Sequence, residues 1–135
     1  MKHRTLVILS GIFFSCSACK PALKSEALIG KWKYVKVETP QASPPDSIKK
    51  VVIEQASPYI TFSKNDSVKI IWSDSVLSHG TYRLSGNNIQ VKEILAGGKS
   101  REFPFYISKL DKNNLIFESL GEDGSKVTAV KDPQR

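Results

Sequence analysis

Residues 67–95 read Ser-Val-Lys-Ile-Ile-Trp-Ser-Asp-Ser-Val-Leu-Ser-His-Gly-Thr-Tyr-Arg-Leu-Ser-Gly-Asn-Asn-Ile-Gln-Val-Lys-Glu-Ile-Leu. Three apolar-patterned runs stand out: Ser67 to Ser73, Leu77 to Leu84 and Asn88 to Leu95. They are divided by Ser73-Asp74-Ser75 and Ser85-Gly86-Asn87. Gly, Asn and Asp tolerate the positive φ angles that tight hairpins require. Strands about ten residues apart with connections this short predict an antiparallel meander.

The same pattern extends in both directions. Upstream lie Gly30 to Glu38 and Pro58 to Ser63; downstream lie Arg101 to Leu110, Asn114 to Leu120 and Lys126 to Lys131. Turn residues separate these as well: Lys64-Asn65-Asp66, Gly97-Gly98, Asp111-Lys112-Asn113 and Gly121-Glu122-Asp123-Gly124. About eight such strands can close into a barrel, which removes the exposed edges that invite aggregation. Alternation assigns the faces. Val68, Ile70 and Trp72 share one face; Ile89, Val91 and Leu95 oppose Gln90 and Lys92; Phe103, Phe105 and Ile107 oppose Glu102 and Tyr106; Leu115 and Phe117 oppose Glu118. Pro104 lacks a ladder donor and points to a bulge or break in its strand. Pro44 to Ala56 interrupts the meander. Asp46 or Ser47 would cap a short amphipathic helix there, with Ile48, Val51, Val52 and Gln55 on one face. An extra strand is the alternative, because Val51, Val52 and Ile53 are all β-branched.

The N-terminus carries a different signal. Lys2, His3 and Arg4 form a positive start, and Thr5 to Phe14 is mostly apolar. Ten such residues are too few to span a bilayer, which needs roughly 20, but they fit a signal-peptide core. Small residues at Ser15, Ser17 and Ala18 flank Cys16 and Cys19, and the segment resembles a bacterial lipobox. That resemblance implies cleavage before an acylated cysteine. The Phe13-Phe14-Ser15-Cys16 frame directly follows the apolar run and is favoured; Cys16-Ser17-Ala18-Cys19 has the better small residues but lacks the usual Leu. Acyl chains such as palmitate would anchor the protein, each buried methylene contributing about 0.8 kcal/mol. The expected organisation is a signal peptide over 1–15, a lipidated cysteine and flexible tether over 16–27, and a barrel domain over 28–135. The absence of an acidic run after the cysteine favours the periplasmic face of the outer membrane.

Composition limits the function classes. The 135 residues suit one domain. The formal charge is +7, from 20 basic and 13 acidic residues; losing Lys2 and Arg4 with the signal peptide lowers it by two, to +5. The lysines are spread along the chain, as on a solvated surface, and contact with anionic lipid headgroups is the alternative. No helix-turn-helix pattern, basic helix or zinc spacing points to nucleic acid. Both cysteines lie in the export region, so the domain has no disulfide framework and no cysteine-based metal site. No cofactor is implied.

Leu28-Ile29-Gly30-Lys31-Trp32-Lys33 opens the first strand with Gly-x-Trp. With Ile60-Thr61-Phe62, Gly80-Thr81-Tyr82-Arg83-Leu84, Asn88-Ile89 and Lys126-Val127-Thr128, the chain resembles the lipocalin-like domains of small Gram-negative lipoproteins. The resemblance implies an all-β, up-and-down antiparallel barrel of about eight strands, with one short helix after the first. Trp32 would pack at the closed end, and the open mouth would take a small apolar or amphipathic molecule. The strands are short for a lipocalin, and no helix follows the last one before Arg135. The aromatic set Trp32, Tyr34, Phe62, Trp72, Tyr82, Phe103, Phe105 and Phe117 is the candidate ligand cavity; a filled core is the alternative, since a barrel this small is just wide enough for either.

Other residue types give weaker signals. His79 has Ser78 beside it, but strand neighbours point to opposite faces, and no nucleophile elbow or HExxH supports catalysis. Asp111, Glu122 and Asp123 match turn chemistry and no EF-hand spacing. Glu93 and Glu102 fall on adjacent strands and would form an acid/base pair only in a suitable cleft. Asp46-Ser47-Ile48, Asp66-Ser67-Val68 and Asp74-Ser75-Val76 resemble a short O-glycosylation motif, with cap and turn chemistry as the alternative. The expectation is therefore a non-enzymatic, membrane-tethered binding module. Its alternative is a filled barrel that contacts an envelope protein through its outer face and the 39–57 insert.

Overall fold

A computed structural model describes residues 23–120 and 124–133. The export segment, Cys16, Cys19, Glu122 and Asp123 lie outside the described residues. The elements are α1 (Ser25–Leu28), β1 (Gly30–Thr39), β2 (Asp46–Ser47), α2 (Lys50–Ala56), β3 (Tyr59–Phe62), β4 (Ser67–Trp72), β5 (Ser75–Ser85), β6 (Asn88–Ile94), β7 (Ser100–Leu110), β8 (Asn114–Glu118) and β9 (Lys126–Lys131), with a 3-10 turn at Ala96–Gly98. Strands β1 and β3 to β9 each pair antiparallel with the next, and β9 returns to β1. The chain thus forms the expected eight-stranded closed barrel. Two-residue β2 is an addition that pairs with the end of β1 through Glu38 and Thr39.

Period-two alternation builds the interior. Trp32, Ile60, Phe62, Val68, Tyr82, Ile89, Val91, Phe105, Leu115, Phe117, Val127 and Ala129 are all buried. A register shift between Tyr34 and Lys36 lets Tyr34 and Val37, three residues apart, both face inward. A second shift, between Ile107 and Lys109, does the same for Ile107 and Leu110.

Two local expectations are corrected. Strand β7 runs unbroken through Pro104, which pairs with Gln90. The Ile107 N–H donates to the Asn87 carbonyl on the β6 side. By alternation the Pro104 nitrogen faces the β8 side, where pairing stops at Tyr106 opposite Glu118. No ladder donor is lost there, so no bulge is needed.

The second correction concerns the insert. Helix α2 forms, but its N-cap is Lys49, with no side-chain cap bond. Asp46 and Ser47 are occupied as β2, and Asp46 Oδ1 accepts the Ser47 N–H at 2.7 Å. The Ile48 N–H extends the pairing to the Val37 carbonyl. With the start displaced, Ile53 and Ala56 face the barrel, whereas Val51 and Val52 are 53% and 40% exposed.

Candidate functional site

The barrel has two unlike ends. One carries α1 and the tight turns at 63–66, 86–87 and 111–113, and it is closed. Leu28 and Trp32 are fully buried there, and the Trp32 indole N–H donates to the Leu28 carbonyl at 2.8 Å. Lys131 lies over the Trp32 ring, its Nζ 4.5 Å from the centroid, and donates to the Ile29 carbonyl. Burial pushes the Lys131 ammonium below its ordinary value. Gly30 makes this closure compact: its φ is +131°, and a Cβ there would stand 2.8 Å from the Lys131 side chain. Above this plug, aromatic rings pack in the middle of the barrel, two pairs edge to face and Phe105 tilted against Phe117. Phe62 and Tyr82 have centroids 5.0 Å apart, Tyr34 and Phe117 6.2 Å, and Phe105 and Phe117 4.8 Å. Burial raises the Tyr34 phenol well above its ordinary value.

The opposite end is open. Strand β8 stops at Glu118, so among the described residues the first half of β7 has no strand partner on that side. A cavity of about 840 Å³ lies there. Phe105 closes it from below, Ile70 and Phe103 form walls, and Leu77 and Leu120 border it from exposed positions, 65% and 68% accessible. This size lies within the usual range of small-molecule sites, about 300–1,000 Å³.

The lining is mixed: Glu102, Ser119 and Ser125 also border the mouth, and Ser78, Glu93 and Arg101 form one connected polar cluster in it. Glu93 is only 7% exposed. One carboxylate oxygen accepts the Ser78 hydroxyl at 2.8 Å, and the other accepts the Arg101 Nε at 2.5 Å. Burial alone would raise the Glu93 carboxyl. The Ser78 and Arg101 hydrogen bonds, with the charges of Arg101 and His79, outweigh burial and hold it below the usual carboxylate range. The register explains the cluster: Glu93 stands opposite Gly80 on one side and Arg101 on the other. A Cβ on Gly80 would lie 1.9 Å from the Lys92 carbonyl oxygen, so only glycine lets β5 approach β6 this closely beside Glu93.

The eight aromatic candidates separate by position. Phe103 and Phe105 line the mouth. Trp32, Tyr34, Phe62, Tyr82 and Phe117 pack in the core, and Trp72 is half-buried against it. Sequence reasoning named Ser78 only beside His79 and Glu93 only as a partner for Glu102; it missed Arg101 and the cluster the three form. Leu95, expected to continue the inward face of Ile89 and Val91, is exposed at the rim; Glu93 occupies the inward position before it. The only signal was parity, since 89, 91 and 93 share a face. Glu93 and Glu102 do not pair with each other: Glu93 aligns with Arg101, and Glu102 with Lys92. His79 aligns with Lys69 on the outer face. Asp111 accepts the Asn113 and Asn114 backbone N–H groups in its turn, which lowers its carboxyl. Ser67 is bonded to Asn65, and Ser47 and Ser75 are exposed. Among the described residues no group of three or more His, Cys, Asp or Glu side chains is placed to hold a metal ion.

A second, outer groove of about 440 Å³ runs between α2 and the wall formed by β1 and β3. Its cations are largely engaged: Lys31 and Lys33 both reach Asp132 at 3.6 Å, and Lys31 lies 4.0 Å from the Tyr59 ring centroid.

Comparison with known proteins agrees with this architecture. A family model described as a lipocalin-like domain matches residues 28–117. The fold is similar to the crystal structure of a lipocalin-like protein from Bacteroides uniformis ATCC 8492, with 20% sequence identity and a TM-score of 0.55, covering 78% of this chain and 99% of that one. No curated protein gives a significant match.

Proposed function

The chain belongs to the lipocalin-like domain family, and from that premise we propose that it is a non-enzymatic binding module that holds a small apolar or amphipathic molecule in its open mouth. The observation that carries this reading is the cavity of about 840 Å³, walled by Ile70, Phe103 and Phe105 and bordered by exposed Leu77 and Leu120. Exposed leucines grouped with aromatic walls around a cavity are the kind of apolar patch that marks ligand or partner sites. The rings of Tyr34, Phe62, Tyr82, Phe105 and Phe117 pack against one another beneath it, which supports placing the ligand in the mouth.

The same reading includes a lipid anchor. The lipobox-like segment supports acylation of Cys16, with Cys19 as the second candidate. Eight residues separate Cys16 from Ser25, a reach of at most about 30 Å when extended. Because α1 sits at the closed end, such a tether would hold that end toward the bilayer and turn the mouth away from it. The periplasmic face of the outer membrane is the location we propose. Replacing Cys16 by Ser should move the protein from the membrane fraction to the soluble fraction, while Cys19→Ser should leave it in place.

The binding reading is tested by native mass spectrometry of the protein offered mixed membrane lipids and fatty acids. It predicts a one-to-one adduct that Phe103→Ala abolishes with the fold intact by circular dichroism. No adduct across the panel would overturn it. A second reading, contact with an envelope protein through the 39–57 insert, is favoured by the exposed Val51 and Val52 on α2.

A further inference from the structure

Arg101 bears on which head group the mouth accepts. Its side chain is 65% exposed, yet it is held at two points. Its Nε donates to buried Glu93, and its guanidinium carbon lies 5.5 Å from the Phe103 ring centroid. Glu93 is itself fixed by Ser78, so the carboxylate acts as a bracket rather than a mobile partner. Of the five guanidinium N–H donors, only the Nε one is used; the two Nη groups make no hydrogen bond to the described residues. They stand at the border of a cavity with apolar walls at Ile70, Phe103 and Phe105, where a long flexible side chain would ordinarily be solvated and free.

We propose that the mouth takes a single-chain amphiphile with a carboxylate head group, whose two oxygens pair with the Nη groups of Arg101 while the tail lies along Ile70, Phe103 and Phe105. The proposal rests on the reading of the mouth as the binding site. A planar carboxylate matches the guanidinium fork in two parallel hydrogen bonds, which a hydroxyl cannot make. Glu93 offsets part of the arginine's charge, so preference comes from oriented Nη donors that no described residue engages rather than from net positive potential. Glu102, the other carboxylate at this rim, has Lys92 as its register partner. Glu93 is a positioning residue here, and Arg101 makes the contact.

The test uses three probes that share one tail: dodecanoate, dodecanol and dodecyltrimethylammonium, each titrated calorimetrically below its micelle concentration into the full chain. Dodecanoate should bind about tenfold more tightly than dodecanol, the increment of a charge-assisted pair, and the ammonium probe should bind most weakly. Arg101→Gln should reduce dodecanoate to the level of dodecanol and leave dodecanol unchanged. Arg101→Lys, which keeps the charge but loses the fork, should fall between. Glu93→Gln should lower the ratio of dodecanoate to dodecanol affinity, whereas purely structural damage would lower both together. Equal binding of the three probes, tightest binding of the ammonium, or a carboxylate preference that survives Arg101→Gln would overturn the proposal and leave the mouth reading standing. Failure of every probe to bind would overturn both.

Discussion

Glu93 on β6 and Arg101 on β7 stand directly opposite each other, and the Arg101 Nε donates to the Glu93 carboxylate at 2.5 Å. The pair occupies an inward position where alternation would otherwise place an aliphatic side chain. A buried carboxylate is tolerated there because both of its oxygens are satisfied.

This pairing gives stability a pH dependence. The folded-state value of Glu93 is depressed, so its contribution is fully present above the unfolded value of Glu, about 4.3, and is lost as pH falls through the lower folded value. Glu93→Gln should cost about 1–3 kcal/mol at pH 7. The gap between wild type and variant should narrow toward pH 3 in urea unfolding curves.

Trp32 closes the opposite end, and its effects should be separable from binding. Trp32→Phe keeps an aromatic ring but leaves the Leu28 carbonyl without its donor; a loss of about 1–3 kcal/mol is expected. Trp32→Ala should cost about 3–5 kcal/mol. Denaturant unfolding measures both, and Trp32→Phe should leave amphiphile affinity unchanged.

Gly80 lies on β5 against the Lys92 carbonyl of β6. The Cβ introduced by Gly80→Ala would meet backbone at 1.9 Å, which no rotamer can relieve. Destabilisation at or above the upper end of the usual 1–3 kcal/mol overpacking cost is expected, read as a lowered Tm. Because Gly80 aligns with Glu93, the surviving folded fraction should also lose head-group selectivity.

The rim leucines should show the reverse behaviour. Leu77 and Leu120 are 65% and 68% exposed, so Leu77→Asp with Leu120→Asp should change stability by no more than about 0.5 kcal/mol per site. The same double variant should weaken dodecanoate binding by about tenfold or more, since it places two carboxylates beside the tail and head group.

The strands were legible because period-two alternation broken by Gly, Asn and Asp is nearly unambiguous; Lys126 to Lys131 was bounded to the residue. Helix α2 was legible as an element but not as a face. Three consecutive β-branched residues satisfy several helical faces at once, and only the pairing of Asp46 and Ser47 with β1 determines where the helix begins. Pro104 misled because its effect depends on which side its nitrogen faces, and hence on where β8 ends. The site was least legible. A glutamate within an apolar alternation reads as an interruption until Ser78 and Arg101, on two other strands, are seen beside it.

Amide chemical-shift mapping during a dodecanoate titration tests most directly whether the open end, rather than the packed core or the outer groove, receives the ligand. The largest shifts are expected at Ser78, Glu93, Arg101, Phe103 and Phe105, with Trp32 and Lys131 unmoved. Saturable shifts centred instead on Lys33, Lys50 and Tyr59 along α2, or a mouth that stays unperturbed at saturating probe, would contradict that placement.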